Sequence, residues 1–187
     1  LKHVAKKNKP IIISRGITPY KEVAEALETI REAGNDQIVL LHCTGSYPTP
    51  VPKSNVSTIP DLREEFDVVV GMSDHTEDPR TVPAAATALG AGIVEKHFTL
   101  SNRLPGADHP FAVEPDELSA LVDSVHDTYA ALGTPQTGVS PAEEEMTDLA
   151  TRSVFTTADV ESGEQFTREN TWVLRAGGLE PGMHPRY

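Results

Sequence analysis

The sequence predicts an α/β fold built from parallel strand–helix units, on three observations. Four short apolar runs, PIIIS (10–14), QIVLLHC (37–43), DVVVGMS (67–73) and GIVEKHF (92–98), recur about every 25–30 residues. Helical patterns with their own start and stop residues lie between them. Every apolar run also ends in polar groups at its carboxyl end, where parallel α/β architectures place their sites.

Each run is β-branched or leucine-rich with little polar alternation, as expected for a strand buried on both faces of a parallel sheet. After the first strand, TPYKEVAEALETIREAG reads as a helix with Thr18 as N-cap, Pro19 at the first helical position and Gly34 as the stop. Its apolar stripe is Val23, Leu27, Ile30 and Ala33. After the third strand, DPRTVPAAATALG repeats the scheme from Asp78 and Pro79 to Gly90, with Pro83 inside the first turn. EPDELSALVDSVHDTYAALG follows the fourth, its stripe being Leu118, Leu121, Val122, Val125 and Leu132. An open doubly wound sheet and part of a (β/α)₈ barrel both satisfy this pattern. A complete barrel takes about 250 residues, so four units make half of one.

After Gly133 the texture changes. Residues 1–135 form the α/β part, 136–152 read as a Pro/Gly/Thr linker with an acidic patch, and 153–187 as a small β-rich module that stops mid-way. Its turns fall at ESGE and AGG.

The charge is −12, with 28 Asp+Glu against 16 Lys+Arg, which argues against nucleic acid, whose binding rests on cationic contacts to phosphate. No stretch approaches the ~20 apolar residues of a membrane span, and LKHVAKKNKP leads into three isoleucines, too few for a signal peptide. The single cysteine, Cys43, excludes an intrachain disulfide and fits a reducing cytoplasm. The first residue is Leu1, which reads as a fragment or a processed product.

The strand ends carry the chemistry. They are Ser14-Arg15-Gly16, His42-Cys43-Thr44, Ser73-Asp74-His75 and Glu95-Lys96-His97. Alternation places Gly71, Ser73 and His75 on one face of their strand, and Ile93, Glu95 and His97 on the matching face of the next. If both faces point into a barrel, the two imidazoles meet, and could hold a divalent metal that keeps positions open for water or a substrate oxygen. The alternative is that each is a hydrogen-bonded interior residue. HCTGSYPTP (42–50) offers hydroxyls and backbone amides to an anion, or is a Pro-bounded turn. The Ser14-Arg15-Gly16 turn leads into a helix N-terminus, which favours phosphate. RLPGADHPF (103–111) is a loop with Asp108 that reads as structural or as a cover over a substrate. His126 is expected in solvent.

Taken together, KPIIISRG, AGNDQIVLLHCTGSYPTP, GMSDHT, ALGAGIVEKHFTL and PGADHPFAVEPDEL resemble the sialic acid (N-acetylneuraminate) synthase family, which condenses phosphoenolpyruvate with N-acetylmannosamine or a related sugar. The motifs keep the family's order and near-family spacing over most of residues 9–187. RSVFTTADVESGEQFTRENTWVLRAGGLEP is similar to the family's C-terminal antifreeze-like (SAF) domain. The resemblance implies the C-terminal half of a (β/α)₈ TIM barrel followed by a truncated antifreeze-like domain. It also implies roles. His75 and His97 match the metal-ligating histidines, described with Mn²⁺ or Mg²⁺. Ser14 and Ser73 match residues that contact phosphoenolpyruvate, and Tyr47 and Asp108 match sugar-contacting positions. Arg175 matches the antifreeze-like arginine that reaches the other subunit's site in a swapped homodimer.

Three departures stand out. Gly45 occupies a phosphoenolpyruvate-contacting position where the family carries Asn or Ser, so a side-chain contact is missing. SRGI replaces STGM, which brings Arg15 toward the anion site as a compensating cation. The first half of the barrel and its phosphoenolpyruvate-binding lysines are absent from the chain. The fragment alone is expected to be inactive unless another polypeptide supplies that half. The alternatives to an enzyme of this family are a noncatalytic half-barrel or sugar-binding fragment, and a metal-dependent hydrolase on a similar barrel.

Overall fold

A computed structural model describes the backbone of residues 1–187 and every side chain except that of residue 148. The chain divides into two compact units, Leu1–Gly133 and Thr134–Tyr187.

The first unit opens with a single helical turn, α1 (Lys2–Ala5), and continues as β1 (Ile11–Ser14), α2 (Tyr20–Glu32), β2 (Ile38–His42), α3 (Thr58–Phe66), β3 (Val69–Asp74), α4 (Thr81–Ala88), β4 (Val94–Lys96) and α5 (Pro115–Leu132). The four strands form one parallel sheet in the order β1-β2-β3-β4, a curled half-barrel. Its register pairs Ser14 with Leu41, Leu41 with Gly71, and Ser73 with Glu95.

The core lies between the sheet and its helices. Leu40, Val70 and Met72 from the strands meet Val23, Leu27 and Ile30 of α2, Ile59, Leu62 and Phe66 of α3, and Val82 and Ala86 of α4. Burying each large aliphatic side chain contributes roughly 1.5–3 kcal/mol. The other, concave sheet face is less covered: Ile12 and Val69 are about half exposed, at 54% and 53%.

The helix boundaries show where sequence signals held. The α2 stripe Val23, Leu27 and Ile30 is buried. Thr18, however, is not its cap: Pro19 is the capping residue, extended at ψ 153°, and no side chain caps the helix. Thr18 lies one residue earlier, in a turn where its amide donates to the Arg15 carbonyl at 3.0 Å. At α4, Asp78 Oδ1 accepts from the amides of Arg80 and Thr81 at 2.8 and 2.5 Å, the role of an N-cap carboxylate. Pro83 falls in the first turn of this helix. In α5 a capping box joins Glu114 and Glu117, but of the expected stripe only Leu121 is buried. Val122 and Leu132 are exposed, while α5 packs against α4. The sequence reading passed over α3, whose Ile59, Leu62 and Phe66 are all buried.

The second unit holds α6 (Glu144–Ala150), within the stretch read as a linker, and an antiparallel pair, β5 (Arg152–Thr156) and β6 (Thr171–Arg175). Trp172 and Phe166 are exposed on it. No helix among the described residues is long and apolar enough to cross a membrane.

Candidate active site

The site grows from the register of β3 and β4. Their ladder pairs Ser73 with Glu95 and ends at the pair Asp74 and Lys96, so His75 and His97 are the first residues past it. Because side chains alternate along a strand, both imidazoles turn to the concave side, and their ring centroids stand 5.5 Å apart, nearly perpendicular at 76°. Gly71 allows the strands to come this close: a Cβ there would lie 2.6 Å from the Ile93 carbonyl oxygen and from Leu41 Cδ2.

His75 is buried at 6% exposure, and its tautomer is set by its neighbours. Nδ1 lies 2.8 Å from the Thr44 carbonyl, which only accepts, so Nδ1 carries the proton in the neutral ring. Ser73 Oγ has a single proton and donates it to Glu95 Oε1 at 2.6 Å, a charge-assisted bond. The same hydroxyl oxygen sits 3.2 Å from His75 Nε2 and has no proton left for it. A lone pair on Nε2 is therefore free on the concave side. Tyr47 stacks on this ring at 4.2 Å, and Phe111 lies 5.1 Å from the His97 ring.

The donor set fits a divalent cation that keeps open positions. Two imidazoles converge, and one has its far nitrogen tied to a carbonyl, the arrangement that orients metal-bound histidine. No group of three or more His, Cys, Asp or Glu placed to hold a metal occurs among the described residues. Asp108 Oδ2 is 3.8 Å from His97 Nδ1, too far for a hydrogen bond. The carboxylate is exposed and lines a cleft of about 330 Å³ with His97, Phe98 and Gly106.

The other expected residues are placed as follows. Ser14 ends β1, exposed, while Arg15 turns to the opposite, helix-facing side. Its guanidinium lies over the Tyr20 ring at 5.1 Å, in a cleft shared with His42, Gly45 and Thr58. Gly45 lines the same cleft, and a Cβ there would lie 3.0 Å from Ile17 Cγ2. Ser14 and Arg15 also line a smaller cleft together with Thr18 and Leu27. Arg175 is on β6, in the second unit. Burial pushes the Cys43 thiol pKa up, and the nearby Glu95 charge adds to the shift. His42 is 3% exposed, with Nε2 2.8 Å from the Ser54 carbonyl and Nδ1 without a partner. Its pKa is lowered, chiefly by burial.

Sequence reasoning missed the buried ion pair behind the histidines, Asp74 with Lys96, at 2.7 Å and with side chains 0% and 3% exposed. The available signal was a charged residue immediately before each histidine, at the strand phase otherwise filled by Met72 and Val94.

The model of the NeuB family matches residues 1–137. The chain belongs to the NeuB family. Over its full length this NeuB-family chain is 43% identical to the spore coat polysaccharide biosynthesis protein SpsE of Bacillus subtilis and spans 54% of that protein. The SpsE crystal structure superposes with a TM-score of 0.68 over 99% of the chain and 56% of SpsE. A Legionella pneumophila protein named N,N'-diacetyllegionaminic acid synthase is 38% identical over 97% of the chain and 52% of its own length. The structure of a sialic acid synthetase from Leptospira borgpetersenii, in complex with citrate, is 31% identical with a TM-score of 0.71, covering 79% of the chain and 51% of that protein. The chain thus spans about half the length of the relatives it matches.

Proposed function

We propose that the protein acts in a synthase that condenses phosphoenolpyruvate with N-acetylmannosamine or a related N-acetylated amino sugar, giving a nonulosonic acid and inorganic phosphate. The observation that carries this reading is the convergence of His75 and His97 at the carboxyl ends of adjacent strands, with a free Nε2 lone pair on His75. Relatives named legionaminic acid synthase and pseudaminic acid synthase support it.

His75 and His97 would hold Mn²⁺ or Mg²⁺, which when bound polarises the sugar's aldehyde oxygen. In the reaction, C3 of the enol phosphate bonds to the aldehyde carbon, water adds at C2, and phosphate departs with cleavage of the C–O bond. Tyr47 walls the sugar's side of the site and fixes the His75 ring by stacking. Asp108, exposed beside His97, accepts hydrogen bonds from sugar hydroxyls. Ser73, held by Glu95, keeps an oxygen lone pair on the concave face, and Ser14 presents its hydroxyl from β1 to the phosphoenolpyruvate anion. Much of the acceleration is positioning of two bound reactants.

The second unit is read as an antifreeze-like module whose Arg175 serves the site of the other subunit in a homodimer. A cytoplasmic setting accords with the single cysteine.

Phosphoenolpyruvate labelled with ¹⁸O in its bridging C–O–P oxygen tests the reaction in the protein's full reading frame, with N-acetylmannosamine and a panel of related amino sugars. Label recovered in the released phosphate, with a nonulosonic acid seen by mass spectrometry, supports the reading. Sugar-independent phosphate release, or label retained in the organic product, contradicts it.

A further inference from the structure

The strongest feature left unused is the ion pair on the far side of the two histidines. Lys96 Nζ donates to Asp74 Oδ2 at 2.7 Å, to the Thr76 carbonyl, to Thr76 Oγ1 and to the Asp78 carbonyl, the last two at 3.3 Å. Asp74 Oδ1 accepts from the Thr76 amide at 2.9 Å, and Oδ2 from the Thr76 hydroxyl at 3.1 Å. Every polar atom of the pair is satisfied although both side chains are buried.

Such a pair is a poor source of stability, because the cost of removing two charges from water offsets most of their attraction. An apolar pair would suit the helix-facing side of β3 and β4, where Met72 and Val94 are register partners. What the ion pair supplies is a tie at a particular place. The β3–β4 ladder ends at Asp74 and Lys96, and His75 and His97 follow immediately. Beyond that point Lys96, on β4, grips the carbonyls of Thr76 and Asp78, in the segment that follows His75. His75 is separately anchored toward β2, its carbonyl accepting from the Thr49 amide at 2.8 Å and its Nδ1–H donating to Thr44. Without the lysine, the residues that follow His75 would keep their ties to the loop after β2, and the last side-chain tie from β3 to β4 would be that of Ser73 to Glu95.

We propose that Asp74 and Lys96 are positioning residues that set the spacing of His75 and His97 from behind the sheet, and so the affinity for the divalent cation the two histidines hold. The affinity part rests on the metal-dependent reading above; the spacing part does not.

The test uses the double variant Asp74→Asn/Lys96→Met, which removes both charges and keeps the Thr76 hydrogen bonds within reach of the asparagine. Lys96→Met alone leaves a buried unpaired carboxylate and serves as the destabilised control. In the metal-free protein, ring-to-ring nuclear Overhauser contacts between His75 and His97 and the Nδ1–H signal of His75 report the spacing directly. Mn²⁺ titration followed by electron paramagnetic resonance reports affinity. The expected result is a double variant with a retained near-native circular dichroism spectrum, weakened inter-ring contacts and Mn²⁺ binding reduced about 10–100-fold, the range for loss of groups that orient metal ligands. Charge reversal, Asp74→Lys/Lys96→Asp, is expected to restore part of both signals. Unchanged inter-ring contacts in a folded double variant overturn the proposal. A protein that never binds Mn²⁺ while the inter-ring contacts still depend on the pair would refute the metal reading and leave the positioning role standing.

Discussion

Tyr47 stacks on His75, with ring centroids 4.2 Å apart and planes inclined by 27°, although the tyrosine itself is 57% exposed. The ring is thus packed on the candidate site and not in the core, in keeping with the sugar contact proposed for it. Tyr47→Ala is therefore expected to leave the unfolding midpoint nearly unchanged while raising KM for the amino sugar about tenfold, equivalent to ~1.4 kcal/mol. Tyr47→Phe, which keeps the stack, should stay close to the unmodified protein. Steady-state kinetics with thermal unfolding of both variants checks this, and a Tyr47→Ala protein with unaltered KM would remove the residue from the site.

Gly71 sits where β3 meets both neighbours, and any Cβ there would press on the Ile93 carbonyl and Leu41. Gly71→Ala is expected to cost about 1–3 kcal/mol, the usual range for overpacking. Urea unfolding measures it. A neutral substitution would mean that the strands can part without loss.

His42 ties stability to pH. Its folded pKa lies below the ordinary value because burial disfavours the charged ring, whereas the unfolded ring titrates near ~6.5. Between those values the unfolded chain binds the extra proton, so the contribution is complete above the unfolded pKa and is lost as pH falls toward the folded one. His42→Gln, whose amide can still donate to the Ser54 carbonyl, should show a shallower loss of stability from pH 7.5 to 5.5. Parallel pH curves for the two proteins would contradict this.

Asp78 starts α4 through two amide hydrogen bonds, that of Thr81 being the main cause of its lowered pKa. Asp78→Ala should cost about 1 kcal/mol, and Asp78→Asn much less. Because the folded pKa is depressed, the carboxylate's contribution is present above its unfolded value of ~3.9 and disappears as pH falls through the folded one. Unfolding of the three proteins at pH 7 and pH 3.5 checks both statements: the gap between unmodified protein and Asp78→Ala should narrow in acid.

The strands were legible because a parallel strand covered on both faces needs an unbroken apolar run, and such runs recurred with helix-length gaps. The same alternation rule that put Ser73 beside Glu95 put His75 beside His97. What escaped depended on paths that no local pattern records. Helix α3 begins at Thr58-Ile59-Pro60 without a capping side chain, after a Pro-rich loop that reads as coil, so only the spacing of Ile59, Leu62 and Phe66 could have shown it. Thr18 looked like a cap because the Ser/Thr–Pro signature is local, but the helix starts one residue later, with Pro19 in the capping position. The Thr44 carbonyl on His75 and the Lys96 grip on Thr76 and Asp78 join residues from separate loops and strands, and no spacing rule brings those together.

The most direct measurement is phosphate release from phosphoenolpyruvate and N-acetylmannosamine with Mn²⁺, in the full reading frame, comparing unmodified protein with His75→Ala and His97→Ala of verified fold. Loss of activity in both variants, by about two orders of magnitude or more as expected when a metal ligand is removed, is the predicted result. Turnover that survives either substitution would contradict a metal-dependent synthase centred on these two histidines.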